Sequence, residues 1–330
     1  MKSEKTIASL SLDLDNKWSY LKTHGDPGWE RFPSYLDTVV PRVLTFLAQR
    51  KLKITFFVVG QDAALDKNRA TLGEIAAAGH EIANHSFSHE PWFNLDAEEK
   101  IEHEIVSAED QIVRATGQRP VGFRSPGYSV SDTMLGVLQR LGYLYDASSL
   151  PTYFGPLARL YYFQHSDLTA DQLKQRASLF GPARNGLRPL KPYRWSGANG
   201  LLEIPVTTLP IVRSPIHISY ILYLSTFSWA LALGYFRTAL ALCRKVGVSP
   251  SLLLHPLDFL GEDDNIGLDF FPAMGLAWEH KLRFVSQLLK IYCEMFRVVS
   301  LKEHAFSVTE VLSGNAEEYC VTDSVASLTK

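Results

Sequence analysis

Asn84-His85-Ser86-Phe87-Ser88-His89 is the stretch from which the fold is best read. It follows a short apolar run, His80 to Ala83, that reads as a strand, and it precedes a long helical pattern from Asp96 to Thr116. Two imidazoles four residues apart lie on one face of a helical turn, so the spacing predicts that His85 and His89 reach a single metal ion. The position after the first His, where the zincin pattern carries its glutamate, is Ser86. A third ligand and a base must therefore come from elsewhere in the chain.

The N-terminus offers both. Ile7 to Asp15 alternates with period two and reads as a strand ending in carboxylates. Alternate strand residues face the same way, which sets Asp13 and Asp15 side by side. One of the two can bind metal while its neighbour handles a proton. Between these motifs the sequence predicts a loop with Trp18, Tyr20, Trp29 and Phe32 over residues 16 to 33, then a Ser-capped helix from Ser34 to Lys51. A buried strand from Lys53 to Gly60 follows, then a helix from Asn68 to Ala78 closed by Gly79. Farther on come the strand Val121 to Phe123, the helix Ser131 to Leu141 and the strand Tyr143 to Tyr145. Repeated strand-helix-strand order predicts an α/β fold, a distorted (β/α)-barrel with a parallel sheet of about seven strands. Chemistry in such barrels gathers at the C-terminal strand ends. Asp13, Asp15, His85, His89, Arg124, Asp146 and His255 would all fall there.

The 330 residues read as a single domain over 1–304 with a polar tail over 305–330. Residues 151–200 lack periodicity and read as an insertion, and strands return at Leu201 to Thr207, Leu252 to Leu254 and Val298 to Leu301, the last after a helix from Glu279 to Phe296. An apolar helical segment occupies about 216–243; within it, Ile218 to Phe236 holds nineteen residues without a charge. A single membrane crossing there would strand His255 away from Asp13, so the segment either covers the barrel or lies in a membrane interface, and Ser225-Thr226 offers a start for a second helix. The formal net charge of −2 gives no electrostatic case for nucleic acid. Three cysteines without metal spacing, and a start that lacks an apolar leader, point to a cytoplasmic protein, with peripheral membrane contact through 218–236 as one option.

Four pieces arrive in order: Ser11 to Asp15, His85 to His89, Arg124-Ser125-Pro126-Gly127-Tyr128, and Leu253-Leu254-His255-Pro256. The series resembles the NodB-like polysaccharide deacetylases, carbohydrate esterase family 4, and the spacing of its two acids is similar to members that show Asp-x-Asp. The resemblance implies a hydrolase that removes an N-acyl group, acetyl or formyl, from an amino sugar. It implies a divalent ion on Asp15, His85 and His89, for which one Asp and two His suit Zn first, with Co, Ni or Mn as options. It implies Asp13 as general base held by Arg124, His255 as the acid for the leaving amine, and a substrate site of Pro126, Gly127, Tyr128, Asp146 and Leu253, with backbone N–H groups near Gly127 and Tyr128 on the oxyanion.

Tyr145 to Ser149 lacks the Trp that many chitin and peptidoglycan members carry in their fourth motif. That speaks against a polymer substrate, and a cytosolic location combined with the apolar 218–236 segment favours a lipid-linked amino sugar, for instance on a polyprenyl carrier. A hydrolase of small cyclic or linear amides, similar to the allantoinase-like branch of the fold, and a non-catalytic saccharide-binding protein are the alternatives.

Overall fold

The computed structural model describes residues 5–164, 174, 181–196 and 200–314. Its first strand, β1 (Ile7–Asp13), is buried along its length and ends one residue pair short of Asp15. Where a loop is expected, Asn16 caps a helix, α1 (Lys17–His24), by accepting from the Lys17 N–H. Trp18 in that helix is buried and gives its indole N–H to Asp62. α2 (Leu36–Ala48) starts at Tyr35, with the Ser34 hydroxyl accepting from the Leu36 N–H.

The chain then alternates. β2 (Thr55–Val58) leads to α3 (Gly60–Ala64) and α4 (Asp66–Ala77), two helices where the periodicity predicts one. β3 (Glu81–Asn84) precedes α5 (Glu98–Thr116), which stops at Gly117 in the left-handed region, φ 71°. β4 (Gly122–Phe123), α6 (Asp132–Arg140) and β5 (Tyr145–Asp146) complete this half.

The 151–200 region is more structured than an insertion without elements. It holds α7 (Gly155–Gln164) and β6 (Tyr193–Arg194), which pairs antiparallel with β7 (Leu202–Glu203). Most of residues 165–180 lie outside the described residues. The apolar segment forms two helices, α8 (Ile218–Ser225) and α9 (Trp229–Lys245). The second is capped by the Ser228 hydroxyl, not started by Ser225-Thr226. Ile218, Ile221, Leu222, Ala232 and Phe236 are buried in the main core, so one face of this pair covers the barrel. Among the described residues, no helix is long and apolar enough to cross a membrane. After β8 (Ser251–Leu254) come α10 (Trp278–Met295), β9 (Arg297–Val299) and α11 (Leu301–Gly314). The chain stays helical to Gly314, into the polar tail expected from 305, because Leu301, His304 and Ala305 bury one side of α11. Cys243 and Cys293 are free thiols, and Cys320 lies outside the described residues.

The sheet runs β6-β7-β5-β4-β3-β2-β1-β8, with β9 also on β1, and every pairing but β6–β7 is parallel. That makes nine strands among the described residues where about seven are expected; β6, the one without a counterpart in the sequence reading, is two residues long and too short to show a period. The sheet curls. Beyond β7, the Thr207 N–H bonds Ser251 O at 2.9 Å and the Ser251 N–H bonds Thr207 Oγ1 at 2.8 Å, which draws the far segment back to β8.

α3 and α5 approach most closely at Gly60. A Cβ there would stand 2.6 Å from Ala108 Cα and 2.8 Å from the Phe87 ring. The Gly60 and Gln61 N–H groups also donate to the carbonyls of Ser86 and Phe87, tying the start of α3 to the histidine loop. Gly60→Ala is therefore expected to cost roughly 1–3 kcal/mol, read as a lower midpoint of thermal unfolding; an unchanged midpoint would mean the two helices separate freely.

Candidate metal and catalytic site

The parallel register brings the motif residues into one row. Leu12 pairs with Leu254, so Asp13 and His255 follow side by side at the ends of β1 and β8. Asn84 pairs with Phe123, so His85 and Arg124 follow side by side as well. Phe123 pairs with Asp146, and Asp146 with Glu203.

Asp15 is the meeting point of the two imidazoles. Its Oδ1 lies 3.0 Å from His89 Nε2 and 3.4 Å from His85 Nε2, and one ligand atom from each of the three residues falls within 4.8 Å of the others. All three side chains are buried. They do not share a helical turn. Residues 85–89 form a loop in which Ser86 and His89 take positive φ, 60° and 50°, which folds the second ring back toward the first. Buried Glu104, on α5, fixes that shape by accepting from the N–H groups of Phe87 (3.1 Å) and Ser88 (2.8 Å) and from the Ser88 hydroxyl (2.6 Å). Nothing near His85 in the sequence advertises Glu104; its signal is an acid on the apolar stripe of a helix.

The donor set fits a divalent cation. His85 Nδ1 lies 2.6 Å from the Arg124 carbonyl, an acceptor only, so Nδ1 carries a proton and Nε2 is the ring atom turned to Asp15. Nε2 either donates a proton to the carboxylate or, deprotonated, offers its lone pair to a cation that the carboxylate shares. Burial pushes the Asp15 carboxyl upward, but the charge of His89 and the hydrogen bonds from both rings hold it well below its ordinary range. Burial likewise opposes the charged form of His85, yet the hydrogen bond to Asp15 and the charges of Asp13 and Asp15 raise it above an ordinary histidine. His89 Nδ1 is buried without a partner among the described residues.

Asp13 belongs to a different pair. Arg124 is completely buried; its Nη1 lies 2.5 Å from Asp13 Oδ1 and 2.8 Å from Ser11 Oγ, its Nε donates to the Ala147 carbonyl at 2.9 Å, and its plane sits over Phe57. Leu253 pairs with Ser11 and faces the same side. Pro126, Gly127 and Tyr128 form a short turn after Arg124, with Gly127 and Tyr128 both at positive φ. The Tyr128 N–H is engaged with the Ser125 carbonyl at 3.2 Å, so of the two backbone donors expected for an oxyanion it is already taken. The Tyr128 phenol is pushed up by burial and then by the charge of Asp13.

His255 is joined to groups that sequence reasoning missed. Its Nδ1 lies 2.9 Å from Ser219 Oγ, and Ser219 donates in turn to Asp258 Oδ2 at 3.0 Å, an oxygen that also accepts the His255 N–H at 2.8 Å. Because the Ser219 proton goes to Asp258, the hydroxyl accepts from His255 Nδ1–H and leaves Nε2 for chemistry. Asp258 has a visible signal, an acid three residues after His255; Ser219, on α8, has none. Asp146 also departs from its expected place: it is fully buried, accepts from the Ser148 hydroxyl at 2.5 Å and faces Glu203. Burial and then the charge of Asp146 raise the Glu203 carboxyl far above its ordinary range, so Glu203 holds the proton of this pair. Asp146 and Glu203 thus brace the Ser148 and Ser149 backbone under the site.

Fold and site together define a curled-sheet α/β protein with an Asp-His-His centre at its strand ends. Residues 26–145, which hold the histidine pair and Arg124, match the polysaccharide deacetylase family. Over 106 residues the chain is 30% identical to a peptidoglycan-N-acetylglucosamine deacetylase of Bacillus cereus, covering 32% of this chain and 48% of that one. A peptidoglycan deacetylase of Helicobacter pylori is 27% identical over 161 residues, 47% of this chain and 53% of its own. The chain therefore spans about half the length of these relatives. A solved Mycobacterium smegmatis structure assigned to the polysaccharide deacetylases shares the fold, with TM-score 0.60, 20% identity and coverage of 98% of this chain and 96% of that one. The matched stretch, residues 26–145, is thus similar to the polysaccharide deacetylases, and the chain shares its curled-sheet fold with the solved structure.

Proposed function

We propose that this chain is a metal-dependent hydrolase that removes the acetyl or formyl group from an N-acylated amino sugar. The observation that carries the reading is the convergence of Asp15, His85 and His89 beside an Asp13 that is buried, separately anchored by Arg124 and free of the imidazoles. Zn suits one carboxylate and two imidazoles, with Co, Ni and Mn as options. When bound, such an ion acidifies a water and polarises an acyl carbonyl. Asp13 then accepts the water's proton, and the Arg124 guanidinium holds the carboxylate in one orientation throughout. His255 delivers a proton from Nε2 to the departing amine, while Ser219 and Asp258 keep its Nδ1 occupied. Leu253 lines the acyl end beside Ser11. A cytoplasmic setting and a lipid-carried saccharide complete the reading, supported by the free thiols and by exposed apolar side chains at Phe227 and Leu231.

The test is acetate or formate release from N-acylated glucosamine oligomers, free and polyprenyl-linked, by protein loaded with Zn or Co and by chelated protein. Release that depends on added metal supports the proposal; none from any of these substrates with the metal bound would sink it.

Ser219→Ala is expected to lower kcat about tenfold with KM little changed, because the His255 ring loses the partner that fixes its Nδ1 and orients Nε2. Ser219→Thr, which keeps the hydroxyl, is expected to restore the rate; a Thr variant as slow as the Ala variant would assign Ser219 a packing role only.

A further inference from the structure

A surface outside the catalytic row is built in an unusual way. Thr208 and Pro215 pair across a hairpin closed by Leu209 N–H to Ser214 O and Arg213 N–H to Leu209 O, both at 2.8 Å. Its tip holds Ile211, 83% exposed, and Val212, 53% exposed. Ile211 has φ 75°, a conformation that costs a β-branched residue about 1–3 kcal/mol and that glycine or asparagine would take more easily. Neither burial nor turn preference accounts for two aliphatic side chains at that place.

Neighbouring elements extend the surface. Arg213 Nη1 donates to the Arg188 carbonyl at 3.2 Å, beside Leu187, which is 72% exposed. On the other flank, Tyr235 of α9 donates to the Pro215 carbonyl at 3.2 Å, and Leu231, one turn earlier on α9, is 76% exposed. The segment that carries these prongs is basic. From residue 181 to 257 the sequence carries eight Lys or Arg and a single acid, Glu203, which is wholly buried. Arg184 and Lys191, on either side of Leu187, are exposed.

We propose that this face docks on an anionic phospholipid bilayer, with Leu187, Ile211, Val212 and Leu231 entering the acyl boundary and the surrounding Arg and Lys meeting lipid phosphates. Separate convex prongs suit a yielding lipid surface, where each finds its own space. A second copy of this chain would set the exposed Arg184 and Lys191 against their like, whereas a negatively charged surface matches them. The hairpin runs directly into His217, whose ring lies 6.2 Å from that of His255, so docking turns the rim of the catalytic row toward the headgroups. The inference is independent of turnover, since binding is measured without substrate.

Full-length protein is sedimented with vesicles of phosphatidylglycerol and phosphatidylcholine and with pure phosphatidylcholine. Wild type is expected to partition to the anionic vesicles at least about tenfold more strongly, and about 0.5 M salt to weaken it. Ile211→Gly with Val212→Ser relieves the backbone strain while removing both prongs, so the variant stays folded and is expected to lose roughly tenfold in partitioning. Arg184→Gln with Lys191→Gln is expected to lower binding to anionic vesicles alone. No partitioning of wild type, or equal partitioning of the prong variant at an unchanged melting temperature, would overturn the proposal. So would a dimer that the prong variant abolishes in protein that ignores vesicles.

Discussion

Asp13→Asn is expected to lower acyl release by about 10³-fold while metal content stays that of wild type. The side chain keeps its shape and can still accept from Arg124 through its remaining carbonyl oxygen. What it loses is the capacity to take a proton. Asp13 is separated from the imidazoles and anchored on its own guanidinium, whereas Asp15 is the residue that faces both rings. Removing one carboxylate should therefore abolish chemistry and removing the other should abolish metal, although the two lie on the same strand end with Leu14 between them. The substitution also leaves the Arg124 guanidinium fully buried without its counter-charge, at a cost of about 3–5 kcal/mol. A lower unfolding midpoint should accompany the lost activity. Acetate release, elemental analysis and thermal unfolding on the same preparation separate the effects. Should Asp13→Asn lose metal along with activity, Asp13 would be a ligand and the proposed base would lie elsewhere.

The strand-end row was legible because its cause is local. β1 shows its period over seven residues and ends on acids, and β2 is an unbroken apolar run. With parallel strands, knowing that each motif follows a strand is enough to put Asp13, His85, Arg124 and His255 on one edge. What the sequence hid was set by long-range contacts. The 85–89 segment reads as a helical turn because i and i+4 spacing fits one, yet Glu104 and the N-terminus of α3 hold it as a loop. Both geometries bring the two rings together, so the inference of a shared ligand point survives while its stated reason does not. Ser219 reaches His255 only because α8 packs beside β8, across 36 residues of chain. β6 was invisible because a two-residue strand carries no period, and α11 because its buried residues begin only where β9 ends. Asp146 was legible as a strand-end acid but not as half of a carboxyl pair; Glu203, an acid in an apolar run, was the available clue.

His85→Ala and Asp15→Asn are each expected to weaken metal binding by well over the 10–100-fold seen for loss of a group that merely supports a ligand. Wild type should hold close to one equivalent of Zn or Co after dialysis against metal-free buffer, and both variants almost none. Asp15 Oδ1 faces both Nε2 atoms, so deleting any corner leaves two ligands, fewer than the three protein ligands of catalytic zinc sites. His85 contributes through a fixed tautomer: its Nδ1 proton is committed to the Arg124 carbonyl, and the lone pair on Nε2 has no other direction to face. Acid acts on the same atoms. The Asp15 carboxylate and its hydrogen bond favour protonated His85, so protons compete with the ion for this ring at a higher pH than for an ordinary histidine. Metal should therefore be lost progressively on acidification and return on neutralisation, with a slope that reports more than one proton. Retention of a full equivalent by both variants would move the ion to other residues and remove the basis for assigning Asp13 as the base.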